Sequence, residues 1–178
     1  MLIAVISDVH DNVWNLADAL EQISAAGADA LLFCGDFCAP FTLAQIAQGF
    51  AGDVHCVFGN NDGDPRLLMR NAEAAGNMTV HGQYAELEMG GRRIALNHYP
   101  EIARRLAEAG QFDLVCYGHD HRSHVEMVGD TVLANPGEVM GRFGRPTFGL
   151  YDCEIGTFSL HAVRHYPATG GAPGEELR

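Results

Sequence analysis

The segment Leu2-Ile3-Ala4-Val5-Ile6-Ser7, followed directly by Asp8-Val9-His10, decides the fold class of this 178-residue chain. A continuous apolar run of this length predicts a strand buried on both faces, as in parallel sheets covered by helices. Residues 13–26 then carry apolar side chains spaced as one face of a helix, and Gly27 ends it. Together these features predict the first unit of an α/β fold.

The alternation of strand and helix continues outward from this unit. Buried strands are predicted at residues 30–34, 54–58 and 114–117, and helices at residues 40–48, 65–75 and 101–109. Glycine-containing turns predict three hairpins, which pair residues 84–88 with 92–97, 124–128 with 131–135, and 148–153 with 157–163. We therefore expect two mixed sheets packed face to face, with helices outside.

Composition limits the classes of partner. The net charge is −12 and the chain contains no lysine, which disfavours binding along a long nucleic acid. No apolar run approaches the ~18 residues of a membrane-spanning helix, and the N-terminus lacks the basic flank of a signal peptide. We expect a cytoplasmic protein with no membrane partner, a single domain at residues 1–165 and a flexible tail at residues 166–178. The five cysteines are interpreted as reduced residues, mostly in the core.

Polar clusters follow the predicted buried strands, at the sheet edge where ligands bind in α/β proteins. These clusters contain side chains of the types that ligate transition metals, and they are Asp8-Val9-His10, Gly35-Asp36, Gly59-Asn60-Asn61-Asp62, Asn97-His98 and Gly118-His119-Asp120-His121. In Asp8-x-His10 and His119-x-His121 the two side chains can lie on the same side of an extended chain, so both can reach one centre. Glycines precede several clusters, where a tight turn or close backbone approach is needed. Three other histidines, His81, His161 and His165, lie off this pattern and are expected at the surface.

The ordered set Asp8-x-His10, Gly35-Asp36, Gly59-Asn60-x-Asp62, His98 and Gly118-His119-x-His121 resembles the calcineurin-like metallophosphoesterase superfamily. The short chain and the Asn135-Pro136-Gly137 segment resemble its small YfcE/MJ0936-like branch of bacterial and archaeal phosphodiesterases. The resemblance covers about residues 1–160. It implies an α/β fold, the four-layer α-β-β-α sandwich of metallo-dependent phosphatases with two mixed β-sheets.

The resemblance also implies two divalent transition-metal ions. One ion would be held by Asp8, His10, Asp36 and His121, and the other by Asp36, Asn60, His98 and His119, so that Asp36 bridges them. Mixed imidazole and carboxylate ligands favour transition metals over calcium. We expect Mn²⁺, with Fe, Ni, Co or Zn as alternatives. The implied reaction is hydrolysis of a small phosphodiester by attack of a metal-bridging hydroxide, without a covalent intermediate.

Other residues near the motifs are candidates for catalysis, substrate binding or helix capping. Asn61 is a candidate catalytic residue, at the place where many members of the superfamily carry a histidine that assists the leaving group. Its amide can form a hydrogen bond but cannot deliver a proton near pH 7. Asp62 either takes part in catalysis or braces its loop, and Arg142 is a candidate phosphate clamp. Glu138 stands where serine is more usual, and its carboxylate would repel a phosphate unless it points away. Capping a helix and a role in the site are both open for Asp11 and Asn12, and Trp14 is expected to pack against the fold.

Two alternative functions remain open. The first is a phosphomonoesterase or nucleotidase, against which Asn61 is a mild argument. The second is a non-catalytic scaffold of the kind found as a retromer subunit, against which the full set of ligand types argues. The expected partner is a small phosphate-ester substrate, and a homo-oligomer is left open.

Overall fold

The computed structural model describes residues 1–164, so the predicted tail and His165 lie outside the described residues. Within this range the elements are β1 (Leu2–Ile6), α1 (Val13–Ala25), β2 (Ala30–Phe33), α2 (Pro40–Gly49), β3 (Asp53–Cys56), α3 (Pro65–Ala75), β4 (Met78–Val80), β5 (Tyr84–Met89), β6 (Arg92–Asn97), α4 (Pro100–Glu108), β7 (Leu114–Cys116), β8 (His124–Val128), β9 (Thr131–Asn135), β10 (Thr147–Asp152) and β11 (Thr157–Ala162). None of these helices has the length and apolar character that crossing a bilayer requires.

The strands form two mixed sheets. The first has the order β11-β10-β1-β2-β3-β4, in which β1 to β4 are parallel and β10 and β11 are antiparallel neighbours. The second has the order β5-β6-β7-β9-β8, in which β6, β7 and β9 are parallel and the outer strands are antiparallel. Strand–helix–strand units form the parallel pairs β1–β2, β2–β3, β3–β4 and β6–β7, as the alternation in the sequence predicts, whereas β7 and β9 are joined through β8.

Three apolar clusters define the layers. Helices α1, α2 and α3 cover the outer face of the first sheet, and Leu16, Ile46 and Phe33 belong to the same buried cluster. The inner faces of the two sheets meet in a second cluster that includes Val5 and Leu96. Helix α4 covers the outer face of the second sheet. The structure therefore has the predicted α-β-β-α arrangement.

Several local predictions need correction. Strand β4 is absent from the prediction because its three residues show no alternation of their own, and only pairing with β3 defines it. Trp14 is 76% exposed instead of packed. His81 is half-buried and stacks on His55 with ring centroids 5.3 Å apart, and His161 is half-buried and stacks on Phe148.

The ends of five strands point to one edge of the sandwich. Strands β1, β2 and β3 of the first sheet and β6 and β7 of the second all run toward this edge, and each is followed by one of the polar clusters.

The cysteines at positions 34, 38, 56, 116 and 153 are free, and all except Cys38 are buried.

Candidate metal centre

The backbone at the site is left-handed where the sequence suggested extended chain. Positive φ angles occur at Asp8 (52°), His10 (43°), Asp36 (64°), His119 (76°) and His121 (61°). The argument from strand alternation is therefore wrong, although all of these side chains do reach the shared edge. Non-glycine residues seldom adopt this conformation, and such strain clusters at functional sites.

Two motif glycines leave room for the carboxylates. A Cβ atom at Gly59 would lie 2.2 Å from Asp36 Oδ1, and one at Gly118 would lie 2.6 Å from Asp8 Oδ2. Both distances are shorter than van der Waals contact. The loops after β3 and β7 can therefore approach the carboxylates only because these positions lack side chains.

One group of candidate ligands is formed by Asp8, His10 and His121. Asp8 is fully buried, and its Oδ1 lies 3.8 Å from His10 Nε2 and 3.6 Å from His121 Nε2. The two imidazole rings stack with centroids 5.0 Å apart. The His119 backbone N–H donates to Asp8 Oδ2 at 3.1 Å, which fixes the carboxylate. The three side chains could hold one metal ion.

A second group contains His98, Asn60 and His119. The Nδ1–H of the fully buried His98 donates to the carbonyl oxygen of Cys34 at 2.8 Å, which leaves its Nε2 lone pair directed into the site. Asn60 Oδ1 lies 3.1 Å from His98 Nε2 and 2.9 Å from His119 Nδ1. An amide oxygen and two imidazole nitrogens thus converge on one point.

Asp36 lies between the two groups. Its Oδ2 is 3.4 Å from His10 Nε2 and 3.4 Å from His98 Nε2. Asn61 donates to both oxygens, from its backbone N–H and from its side-chain amide, each at 2.8 Å. Burial alone would raise the pKa of Asp36, but the hydrogen bonds with His98 and Asn61 lower it below its usual value. Asp36 is therefore an anion that faces both groups.

The donor atoms present fit a bound cation. His10 Nε2 is buried and has no hydrogen-bond partner among the described residues. The Asp8 carboxylate, 3.8 Å away, and then the hydrogen bond between His10 Nδ1 and Cys38, opposed by burial, raise the pKa of His10 to about 10. A cation held between these carboxylates and imidazoles would replace that proton and satisfy the unpaired nitrogen.

The carboxylates of Asp62 and Asp11 both accept hydrogen bonds from backbone N–H groups near the site. Asp62 accepts hydrogen bonds from the backbone N–H groups of Asp36, Cys38 and Gly59, at 3.1, 2.7 and 2.7 Å. Asp62 therefore braces the loops that carry Asp36 and Asn60. Asp11 Oδ1 accepts from the backbone N–H of Ala39, the residue that precedes α2, and so caps a helix that is not its neighbour in sequence.

Of the two roles left open for Asn12, the structure shows the helix cap. Asn12 Oδ1 accepts from the backbone N–H of Asn15, and so caps α1, the helix that directly follows it. Its side-chain amide donates to the carbonyl oxygen of Met140, which joins α1 to the segment after β9. Asn12 thus contributes to the site by holding elements together.

The rim of the site carries aromatic side chains and one arginine. Tyr99 lies 5.2 Å from the His119 ring, and the 71% exposed Phe143 meets His121 edge-on at 5.1 Å, all measured between centroids. The exposed Arg142 lies with its guanidinium carbon 5.4 Å from the Phe143 centroid. Glu138 lies below this rim, where it is buried and points toward His121 at 2.7 Å, and not toward the open side.

The role of Glu138 was not predicted from the sequence. Its position in Asn135-Pro136-Gly137-Glu138 identified an unusual carboxylate, but nothing in the sequence indicated its partner. Asp120, the residue between His119 and His121, accepts a hydrogen bond from the side-chain amide of Asn135 at 2.7 Å. It belongs to neither of the two groups of candidate ligands described above.

Comparisons with known proteins agree with this geometry. The family model described as the calcineurin-like phosphoesterase superfamily domain matches residues 1–156. Phosphodiesterase MJ0936 of Methanocaldococcus jannaschii is 28% identical over 157 residues, which cover 86% of this chain and 94% of that protein. A solved structure of an archaeal phosphodiesterase superposes with a TM-score of 0.85 at 26% identity, over 91% of this chain and 99% of that one. The phosphoesterase YfcE of E. coli is similar in fold, with a TM-score of 0.63 at 18% identity over 92% of this chain and all (100%) of that one.

Proposed function

The chain belongs to the calcineurin-like phosphoesterase superfamily, and on this premise we propose that it hydrolyses small phosphodiesters with two divalent metal ions bound at the shared sheet edge. The chain is a hydrolase of phosphate esters. The phosphodiester preference follows the relative from Methanocaldococcus jannaschii that is named a phosphodiesterase. The observation that carries the two-ion proposal is the position of Asp36 Oδ2, at 3.4 Å from histidine nitrogens of both groups.

The proposed ligand sets are those that the family resemblance implies, and the position of Asp36 between the two groups supports them. Asp8, His10, Asp36 and His121 would hold one ion, and Asp36, Asn60, His98 and His119 would hold the other. When bound, the ions would supply a hydroxide nucleophile at neutral pH and positive charge for the phosphate oxygens. Mn²⁺ is the ion proposed, because imidazole with carboxylate and amide oxygen suits the transition series.

The remaining residues of the site hold this arrangement and admit the substrate. Asn61 fixes the bridging carboxylate through two hydrogen bonds and has no proton to give to a leaving group near neutral pH. This favours esters with good leaving groups, such as aryl esters, over esters whose leaving group must be protonated. Arg142 is proposed to bind a phosphate oxygen, because it carries a fixed positive charge on the exposed rim.

Metal content and activity test the proposal together. The purified full-length chain is loaded with Mn²⁺, freed of excess metal and analysed for metal, and a bis-aryl phosphodiester and an aryl phosphomonoester are then assayed. We expect about two ions per chain and faster turnover of the diester. Asp36→Asn weakens the bridge, and His98→Ala removes a ligand, so each is expected to lose at least ~10²-fold in activity.

His124→Ala is the matched control. His124 is an exposed histidine that pairs with Glu126 and is not a proposed ligand, so metal content and activity should stay at the wild-type level. Full activity in Asp36→Asn would exclude the bridging role. A wild-type chain that takes up no metal would instead indicate the scaffold alternative, and preferred turnover of the monoester would indicate a phosphomonoesterase.

A further inference from the structure

Glu138 is a buried carboxylate with both oxygens engaged behind the proposed metal centre. It is 1% exposed, and its Oε2 lies 2.7 Å from His121 Nδ1. Its Oε1 accepts from the backbone N–H groups of Phe143, at 2.6 Å, and Gly144, at 2.8 Å. One side chain therefore contacts a proposed metal ligand and the segment of residues 141–145, which is called the rim loop below.

The direction of the hydrogen bond at His121 has a consequence for metal binding. A carboxylate that already accepts two N–H bonds acts as an acceptor, so His121 Nδ1 carries the hydrogen. A neutral imidazole carries a hydrogen on only one of its two ring nitrogens, and Nε2 therefore keeps its lone pair. That nitrogen is the atom that faces Asp8 Oδ1 at 3.6 Å.

We propose that Glu138 is a positioning residue that holds His121 in the tautomer that binds metal and, through its other oxygen, ties the rim loop to the metal centre. The inference rests on the metal centre proposed above. Because the rim loop carries Arg142 and Phe143, the same contact sets where these two side chains stand relative to a bound substrate. Hydrogen bonds of this kind orient ligating histidines and typically contribute 10–100-fold to metal affinity.

Glu138→Gln tests both contacts, because an amide has one accepting oxygen and one donating nitrogen. If the oxygen stays with the rim loop, the NH₂ group faces His121 and favours the tautomer whose hydrogen sits on Nε2. If the amide turns over, the NH₂ group faces the N–H groups of Phe143 and Gly144. We therefore expect either a 10–100-fold loss of Mn²⁺ affinity at one site, measured by titration calorimetry, or faster trypsin cleavage after Arg142.

Glu126→Gln is the matched control, because it alters a glutamate that contacts Arg104 and lies 2.8 Å from His124 Nε2, at the surface. It should leave Mn²⁺ affinity and cleavage after Arg142 unchanged. If Glu138→Gln matches the wild type in both measurements, Glu138 has no positioning role although the proposed function stands. A wild-type chain without metal overturns both proposals.

The wild-type protein gives a second test that does not depend on the variant folding. In the Zn²⁺-loaded, ¹⁵N-labelled full-length chain, long-range ¹H–¹⁵N spectra report which ring nitrogen of each histidine carries hydrogen. We expect Nδ1–H at His121. Hydrogen on Nε2 of His121 would overturn the inference.

Discussion

At the scale of single residues, Gly59 sets the space available to the bridging carboxylate. A methyl group there would lie 2.2 Å from Asp36 Oδ1 and 2.7 Å from the Asp36 backbone nitrogen. Because one of these contacts is with the backbone, rotation of the Asp36 side chain alone cannot relieve the overlap. Gly59→Ala is therefore expected to displace Asp36 and to lower Mn²⁺ affinity about tenfold or more. Titration calorimetry measures the change.

Gly63→Ala provides the comparison for Gly59→Ala. It lies in the same loop, and its added methyl group would meet only the Cys38 carbonyl oxygen, at 4.0 Å. Its Mn²⁺ affinity should equal that of the wild type. Equal affinity in Gly59→Ala would show that the carboxylate position tolerates displacement and would count against the bridging role.

His10 predicts how metal binding depends on pH. Its pKa is raised to about 10, chiefly by the nearby Asp8 carboxylate, so the metal-free protein carries a proton on His10 at neutral pH. The ion must displace this proton, and Mn²⁺ affinity should rise with pH below that pKa, by roughly tenfold per pH unit for each proton released. Calorimetry in two buffers of different ionisation enthalpy counts the protons, and affinity independent of pH would contradict the assignment of His10 as a ligand.

Residue types and their order along the chain predicted which side chains meet, because parallel strands bring their carboxyl ends to one edge. The backbone conformation at Asp8 and His10 was predicted wrongly. A left-handed residue depends on contacts such as the hydrogen bonds from the backbone N–H groups of Val9 and His10 to the carbonyl oxygen of Asp36, which join segments far apart in sequence. The contact of Glu138 with His121 could not be predicted for the same reason, because it joins residues 17 positions apart that only the folded chain brings together.

At the scale of elements, Asp11 joins the first site loop to α2. Its Oδ1 accepts from the Ala39 backbone N–H at 2.9 Å and from the Thr42 hydroxyl at 2.6 Å, which supplies the cap that Ala39 itself cannot provide. Asp11→Ala should lower the free energy of unfolding by about 1–2 kcal/mol. Urea denaturation in the presence of a chelator measures this without a contribution from metal.

Asp11→Asn separates the cap from the charge. Asparagine keeps an accepting oxygen and tolerates the positive φ of 59° at this position, so its unfolding free energy should stay near that of the wild type. A loss as large as that of Asp11→Ala would assign the effect to charge and not to capping.

Elements with a strong internal pattern were predicted with nearly correct bounds, and short paired ones were not. The helix at residues 65–75 begins with a proline and ends before a glycine in the left-handed conformation, and the structure has Pro65–Ala75. Strand β3 was placed at residues 54–58 but is Asp53–Cys56, because its last predicted residues turn into the loop that carries Asn60. Strand ends at a site are set by the contacts of the loop, which the local sequence does not contain.

At the scale of the whole molecule, the candidate site joins the two sheets. Asp8, Asp36 and Asn60 follow strands of the first sheet, and His98 and His119 follow strands of the second. Two of these residues are buried carboxylates that face each other across the edge of a chain whose net charge is −12. Cations at this edge would therefore reduce the repulsion between the carboxylates and would also link the two sheets.

This arrangement predicts that metal raises the thermal stability of the whole domain. An ion at 100 times its Kd stabilises the folded state by about 2.7 kcal/mol, which corresponds to a rise in Tm of roughly 5–10 °C for a domain of this size. Differential scanning calorimetry with Mn²⁺ and with a chelator measures the shift. Asp36→Asn, in which the bridge is weakened, should show a much smaller rise, while His124→Ala should show the full one. An identical Tm with and without Mn²⁺ in the wild type would mean that no ion links the sheets, and the two-ion mechanism would then have to be abandoned.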